Sequence, residues 1–287
     1  MTQLSVPLTL HSRIVAAVTH YQCEEWLGQC LESLVAQTRP PEHIVVLDDA
    51  SPVPPIDIVS QFPGVTLLAA SENGGPYRLL QYVVDEVDCD ALMIQDADDW
   101  SEPHRLDTLL LAAESTGAEV VGSQPYMVHE DGSRKPRSSP FPEDVTAAFE
   151  LDPCGHFCMF GTMLIARDLV RRLGGFATGL RFGADAEFFR RASHVTRMIN
   201  VRDCCYNRRV RPGSLTQHPD TGMQSPARLE QKAALVARAI ANATARQEGR
   251  APDLSPFRVA SPSRLLLVSG PGVGRVRRGG AAVADRQ

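Results

Sequence analysis

Four short apolar runs, most of them leading into a stretch with helical spacing, leave this chain few architectures. Arg13 to Val18, His43 to Leu47, Val65 to Ala70 and Ala91 to Gln95 read as strands. Glu24 to Gln37, Tyr77 to Val87 and Pro103 to about Ser115 read as helices. The first helix is the clearest: Trp26, Leu27, Cys30, Leu31, Leu34 and Val35 repeat along one face, and Arg39-Pro40-Pro41 stops it. Pro76 suits the first turn of the second helix. Continuous apolar runs, as opposed to alternating ones, belong to strands covered on both faces. Successive strand–helix units therefore predict an α/β fold, a mainly parallel sheet flanked by helices.

The strand ends carry the chemistry. The first, second and fourth strands run into Thr19-His20-Tyr21, Asp48-Asp49 and Asp96-Ala97-Asp98. Carboxyl ends of parallel strands share one edge of the sheet, so these groups should meet there. Ile94 to Trp100 packs three carboxylates and a tryptophan into one turn, which is unfavourable unless a cation or a set of donors sits among them. Oxygen ligands of this kind prefer Mg²⁺ or Mn²⁺ to zinc, and an acidic strand end with such an ion suggests a phosphate-bearing ligand. Arg208, Arg209 and Arg211 are the basic residues available to it. Each group also has a plain explanation. Aspartates before Ser51-Pro52 make good turns, a first-turn acid suits a helix dipole, and close arginines usually form a solvated face. His156 and His218 are weaker candidates for metal or phosphate, lone histidines being more often structural. Trp100 is expected to pack under the acidic turn.

Composition removes other classes. A net charge of −5 and a pI near 5.9 argue against a nucleic-acid binder. Apolar content of 43% over 287 residues is ample for a core, yet no run is long enough to span a bilayer. The start of the chain lacks a signal-peptide pattern, so a cytoplasmic protein is expected. The seven cysteines include no CxxC pair and read as buried small apolar residues.

Beyond Gly132 the pattern changes. A fifth strand begins at Val120-Val121, Ser133 to Pro142 reads as a basic, proline-rich mobile loop, and Arg167 to Leu173 as a helix ending at Gly174-Gly175. Phe182 to Glu187 opens another short helix, Val195 to Val201 is a strand, and Arg228 to Gln247 is an alanine-rich amphipathic helix. Leu265 to Val268 followed by Gly270-Pro271-Gly272-Val273-Gly274 imitates a dinucleotide fingerprint, but too little chain follows for such a site, and disorder is expected from Gly270 onward.

HIVVLDDAS (His43 to Ser51), ENGGPYR (Glu72 to Arg78), QDADDW (Gln95 to Trp100), LGGF (Leu173 to Phe176), GADAEFFRR (Gly183 to Arg191) and YNRRVRPGSLT (Tyr206 to Thr216) together resemble the family 2 glycosyltransferases of the GT-A fold. The resemblance implies a domain over 1–220, with a nucleotide-sugar-binding half at 13–132 and an acceptor half at 133–220. A helix at 221–250 and a flexible tail at 251–287 follow. It implies that Thr19, Tyr21, Asp48, Asp49, Asn73 and Arg78 contact the donor. Asp96, Ala97 and Asp98 form the DxD motif, in which Asp98 is the direct Mn²⁺ or Mg²⁺ ligand and Asp96 lies nearer the ribose and metal shell. Asp185 is the general base, and Arg208 and Arg211 hold the diphosphate. Family members usually carry an acid where this chain has Ala184; Glu187 is the nearest substitute, although on a helix it points elsewhere.

The implied reaction is inverting transfer of a sugar from a nucleotide-diphospho-sugar to an acceptor hydroxyl, assisted by a divalent metal. Arginines and a metal stabilise the leaving diphosphate, a carboxylate takes the hydroxyl proton, and a single displacement inverts the anomeric centre. The alternatives are a degenerate relative that binds nucleotide-sugar or a partner without turnover, and, lower, a nucleotidyltransferase. The latter would carry a glycine-rich basic loop where this chain has Thr19-His20-Tyr21-Gln22. The basic stretch Ser133 to Arg137 suits contact with anionic lipid or a carrier phosphate, and equally a solvated loop.

Overall fold

A computed structural model of the chain describes residues 7–211 and 222–273. Its strands are β1 (Ile14–His20), β2 (His43–Asp48), β3 (Val65–Ala70), β4 (Ala91–Asp96), β5 (Trp100–Ser101), β6 (Val120–Val128), β7 (Arg134–Pro136), β8 (Leu164–Ala166), β9 (Met198–Arg209) and β10 (Leu265–Ser269). Its helices are α1 (Glu24–Val35), α2 (Ile56–Val59), α3 (Pro76–Glu86), α4 (Arg105–Thr116), α5 (Val145–Leu151), α6 (Arg167–Arg172), α7 (Ala184–Ala192) and α8 (Pro226–Gln247), with a 3-10 turn at Phe160–Thr162.

One sheet runs in the order β10-β3-β2-β1-β4-β8-β6-β9-β5, with β7 paired to β6. Strands β3, β2, β1 and β4 are mutually parallel, as the apolar runs predict. Val15 to Val18 and Leu92 to Ile94 have no exposure at all, which requires cover on both faces. Register brings the polar clusters together: His20 stands opposite Asp48, and Thr19 opposite Asp96. Pro76 occupies the first turn of α3 after Gly75, whose φ of 85° a residue with a Cβ rarely adopts.

Three expectations need correction. The stretch expected to be a mobile loop contains β7, and Arg134 stacks on Tyr126 at 3.7 Å while its Nε donates to Asn207 at 2.6 Å. The strand expected to end at Val201 continues to Arg209, so two of the three arginines lie in the sheet and the third just beyond it. The segment 251–273 is not a free tail. Its strand β10 pairs antiparallel with β3 and covers an edge that would otherwise expose unpaired backbone, while Leu254, Phe257 and Leu267 pack on the core. Gly270, the first of the glycines that imitate a cofactor loop, has a packing reason: a Cβ on it would lie 2.2 Å from the Val65 carbonyl. Gly274 and everything after it lie outside the described residues, as do His218 and the PGSLT end of the last motif.

All seven cysteines are free thiols. Among the described residues no helix is long and apolar enough to cross a membrane.

Candidate active site

The end of β2 is a hydrogen-bonded turn. Asp48 is fully buried; its Oδ1 lies 2.8 Å from His20 Nδ1 and its Oδ2 accepts from the Ser51 amide at 3.0 Å. His20 Nε2 accepts from the Cys23 amide, which leaves Nδ1 as the protonated nitrogen facing Asp48. Burial alone would raise the Asp48 carboxyl, but the hydrogen bonds from His20 and Ser51 outweigh it and hold the group below its ordinary value. Asp49 accepts from the Gly74 and Gly75 amides at 2.8 Å each, and Asn73 donates to its carbonyl. Burial raises the Asp49 carboxyl, and the two amides partly offset this. These aspartates reach the expected edge with their carboxylates already engaged within the protein.

The end of β4 is organised differently. Asp99 is buried; it accepts from the Tyr206 hydroxyl at 2.8 Å and from the Arg209 amide at 2.7 Å, so it faces away from the open edge. The same hydroxyl accepts from the Asp96 amide at 3.3 Å. The Ala97 amide donates to the Thr19 carbonyl, tying the turn to β1. Beneath it lies Arg105, wholly buried, donating to Gln95, to Ser101 and to the carbonyls of Ile94 and Gly161 at 2.7–2.9 Å. Gly161 has to be small, because a Cβ there would meet the Tyr206 hydroxyl at 2.6 Å and Asp96 Oδ2 at 3.0 Å. Of the three acids, Asp96 and Asp98 remain at the edge. Asp98 Oδ2 accepts from Arg211 Nε at 2.8 Å. Burial, and next the charge of Asp98, push the Asp96 carboxyl up to about 6; the charge of Asp185 also contributes.

Asp185 stands in the first turn of α7. Tyr77 of α3 faces it: burial and then the Asp185 charge hold that phenol well above its usual value. The charge of Asp185 also acts on His156, whose imidazole is lowered chiefly by burial and further by Arg137, Arg190 and Arg208. The acid of the second half thus shares a neighbourhood with the strand-end acids. Glu187 does not replace the acid missing at Ala184. It is buried, accepting from Arg191 at 2.8 Å and from the Phe257 amide at 2.9 Å.

The remaining candidates divide. Tyr21 is exposed and Thr19 half-buried at the β1 end. Arg78 is turned away, donating from Nε to the Ser261 carbonyl and pairing with Glu72. Arg211 stacks over Trp26 at 4.3 Å. Trp100 carries the Arg209 guanidinium over its ring at 5.0 Å instead of lying buried beneath the turn. A cavity of about 220 Å³ lies elsewhere, between α5, α7 and α8. His20, Arg105 and Gly161, which the sequence reading assigns no role, shape the edge. Only His20 had a local signal, as a histidine between two other strand-end polar residues.

Among the described residues no three His, Cys, Asp or Glu side chains converge into a metal cage. Asp96 and Asp98 nonetheless fit a hard divalent ion, because Mg²⁺-type sites use one or two carboxylates and take their other oxygens from water and substrate phosphates. Burial is the larger cause of the raised Asp96 carboxyl, and the charge of Asp98, the next, is repulsion such an ion would relieve.

Comparison with known proteins agrees with the architecture. S. aureus TarS 1-349 in complex with UDP is similar at a TM-score of 0.61 and 19% identity, over 80% of this chain and 66% of that one. The structure of TarS 1-349 with UDP-GlcNAc gives 0.58 and 16%, over 82% and 73%. TarS itself gives 0.58 and 18%, over 79% of this chain and 43% of that chain. The chain therefore spans about two thirds of the shorter TarS structure and under half of the longer one, and at these identities the likeness establishes the GT-A fold alone. No curated protein sequence matches the chain. The sequence model described as glycosyl transferase family 2 matches residues 16–174, more than half of the 287 residues. The chain belongs to glycosyl transferase family 2.

Proposed function

We propose that the protein transfers a sugar from a nucleotide-diphospho-sugar to an acceptor hydroxyl, with inversion at the anomeric carbon. The observation that carries this reading is that the charge of Asp185, from the second half, reaches Asp96 at the end of β4. In the proposal Asp185 takes the proton of the attacking hydroxyl. Arg208, whose charge already acts on Asp96, and Arg211, once released from Asp98, stabilise the departing diphosphate. Thr19 and Tyr21 line the nucleoside side. Asp48 and Asp49 act by building the turns around His20 and Gly74-Gly75. A divalent ion held by Asp98, with Asp96 beside it, would neutralise charge on the leaving group.

The test is a panel of nucleotide-sugars, UDP-GlcNAc included because TarS has been crystallised with it, assayed with Mn²⁺ for a rise in unfolding temperature. Binding at about a hundred times Kd stabilises by about 2.7 kcal/mol. Asp98→Ala should lose the Mn²⁺-dependent shift and the transfer. Asp185→Asn should keep the shift and lose about 10²–10⁴-fold in turnover. Full transfer by the Asp98 variant would overturn the assignment. Buried Ala184 favours one second reading, a nucleotide-sugar binder without turnover. That reading requires the shift to be present while the wild-type protein and Asp185→Asn are equally inert.

A further inference from the structure

Helix α8 lies beyond the residues matched by the family model, yet it touches the segment that delivers Asp185. Its sequence presents a single seam: Arg228, Gln231, Leu235, Arg238, Ala239 and Asn242 are half-buried or buried, while residues 229, 230, 232, 233, 234 and 237 are exposed. Spacings of three and four place that seam on one face. Its first half rests on the turn that enters α7. The Arg228 guanidinium covers the Phe182 ring at 4.8 Å, and Gln231 Nε2 donates to the Phe182 carbonyl. Gly183 lies under this contact at a φ of 74°, which a residue with a Cβ rarely adopts, so the backbone conformation and not the space requires glycine there. The second half reaches α7 through Arg238, 3.8 Å from buried Glu187, and the segment after α8 through Asn242, which donates to the Asp253 carbonyl.

Phe182, Gly183 and Ala184 immediately precede Asp185. The turn carries no side-chain cap, and glycine at its entry has more backbone freedom than other residues, so local sequence does little to fix it. Its support comes from α8. Arg228 also brings a positive charge to the place where a proton would be taken. Burial lowers its own value, and the nearby Asp185 and then Tyr77 partly restore it. The other groups around Asp185 are Tyr77 of α3, Asp96 of β4, His156 and Cys158 of the loop before β8, and Arg190 of α7. Tyr77 is neutral and Asp96 is acidic; among the described residues Arg190 and Arg228 are helix cations whose charges interact with this carboxylate.

We propose that α8 is part of the catalytic half and that Arg228 is a positioning residue for Asp185, stacking on Phe182 to fix the turn and placing a cation beside the carboxylate. The inference rests on the reading of Asp185 as the general base, but one arm of its test does not. Removing the guanidinium leaves the strand-end donor site untouched, so the donor should bind as before. The loss should fall on the proton-transfer step, where small displacements are heavily penalised.

The experiment compares wild type, Arg228→Gln and Arg228→Lys in two measurements. In the first, hydrogen exchange of peptides covering 180–188 is followed without any ligand. Arg228→Gln should exchange about threefold or more faster there, with β1 to β4 unchanged, and Arg228→Lys should stay near wild type because a cation can still sit over the ring. In the second, nucleotide release from UDP-GlcNAc with Mn²⁺ is measured. Arg228→Gln should lower kcat about tenfold or more with donor KM within about twofold, and Arg228→Lys should recover most of it. Unchanged exchange in Arg228→Gln, or a loss seen in KM alone, overturns the proposal. If the wild-type protein releases no nucleotide from any sugar of the panel, the reading of Asp185 fails instead, and the exchange measurement still decides whether Arg228 braces the turn.

Discussion

Asp48 and Asp98 are both aspartates at strand ends, but their surroundings give them different work. Asp48 has a histidine on one oxygen and a backbone amide on the other, and its carboxyl is held low by those bonds. Asp98 keeps a partly exposed carboxylate whose partner is the Arg211 side chain, and a side-chain partner can be exchanged for a ligand. Asp48→Asn should therefore destabilise the protein by about 1.5–3 kcal/mol at pH 7, the usual range for a hydrogen bond to a charged group. The sign with pH follows from linkage. A carboxyl depressed in the folded state contributes stability above its unfolded value near 3.9 and loses it as pH falls through the folded value. The gap between wild type and Asp48→Asn should begin to narrow below about pH 4 and go on narrowing as pH falls, as read from urea midpoints at pH 7 and pH 3.5. A constant gap would mean that the charge of Asp48 is irrelevant to the turn. The three acids in QDADDW show why one local pattern was only partly legible. Their spacing marks a site, but the turning of Asp99 inward depends on Tyr206, more than a hundred positions later.

Among the elements, the turn between β4 and β5 is held from below by Arg105, which its sequence presents as an ordinary first-turn residue of an amphipathic helix. Burial lowers its value, and it still binds four acceptors from β4, β5 and the 3-10 turn. Arg105→Met retains the volume and removes every donor. Each buried acceptor left without a partner costs about 1–3 kcal/mol, so a loss of about 3 kcal/mol or more is expected in urea unfolding. The Mn²⁺-dependent response to donor should weaken as well, because the acids ride on this turn. A variant as stable as wild type would show that water replaces the guanidinium without loss. Strands β1 to β4 and helices α1, α3, α4 and α8 were readable because their faces are periodic and their ends are marked by proline, glycine or acid. Strand β9 reads too short from the sequence because Arg202 and Asp203 interrupt the apolar run; they sit in an irregularity between the β6 pairings of Asn200 and Cys204, after which the pairing resumes.

For the whole molecule, the segment after α8 closes an edge and crosses both halves. It pairs β10 with β3, gives the Ser261 carbonyl to Arg78 of α3, and supplies the Phe257 amide to Glu187 of α7. The division expected at 132–133 falls within the β6–β7 hairpin of one continuous sheet. Truncation after Gly249 should lower the thermal midpoint by more than about 5 °C, given about 2–4 °C per kcal/mol in a chain of this size. An unchanged midpoint in circular dichroism would mean that β10 is dispensable. The sequence by itself determined the α/β class, the parallel core and the edge at which the acids gather, because hydrophobic period and strand direction are local and fix which end of each strand is polar. Only the tertiary structure decided which carboxylates stay open. It committed Asp48, Asp49, Asp99 and Glu187 to internal donors, turned Arg78 toward the segment before β10, and brought the charge of Asp185 within reach of Asp96. Those outcomes depend on residues far apart in the chain, and the partner that satisfies a buried charge is chosen by packing, which no local pattern encodes.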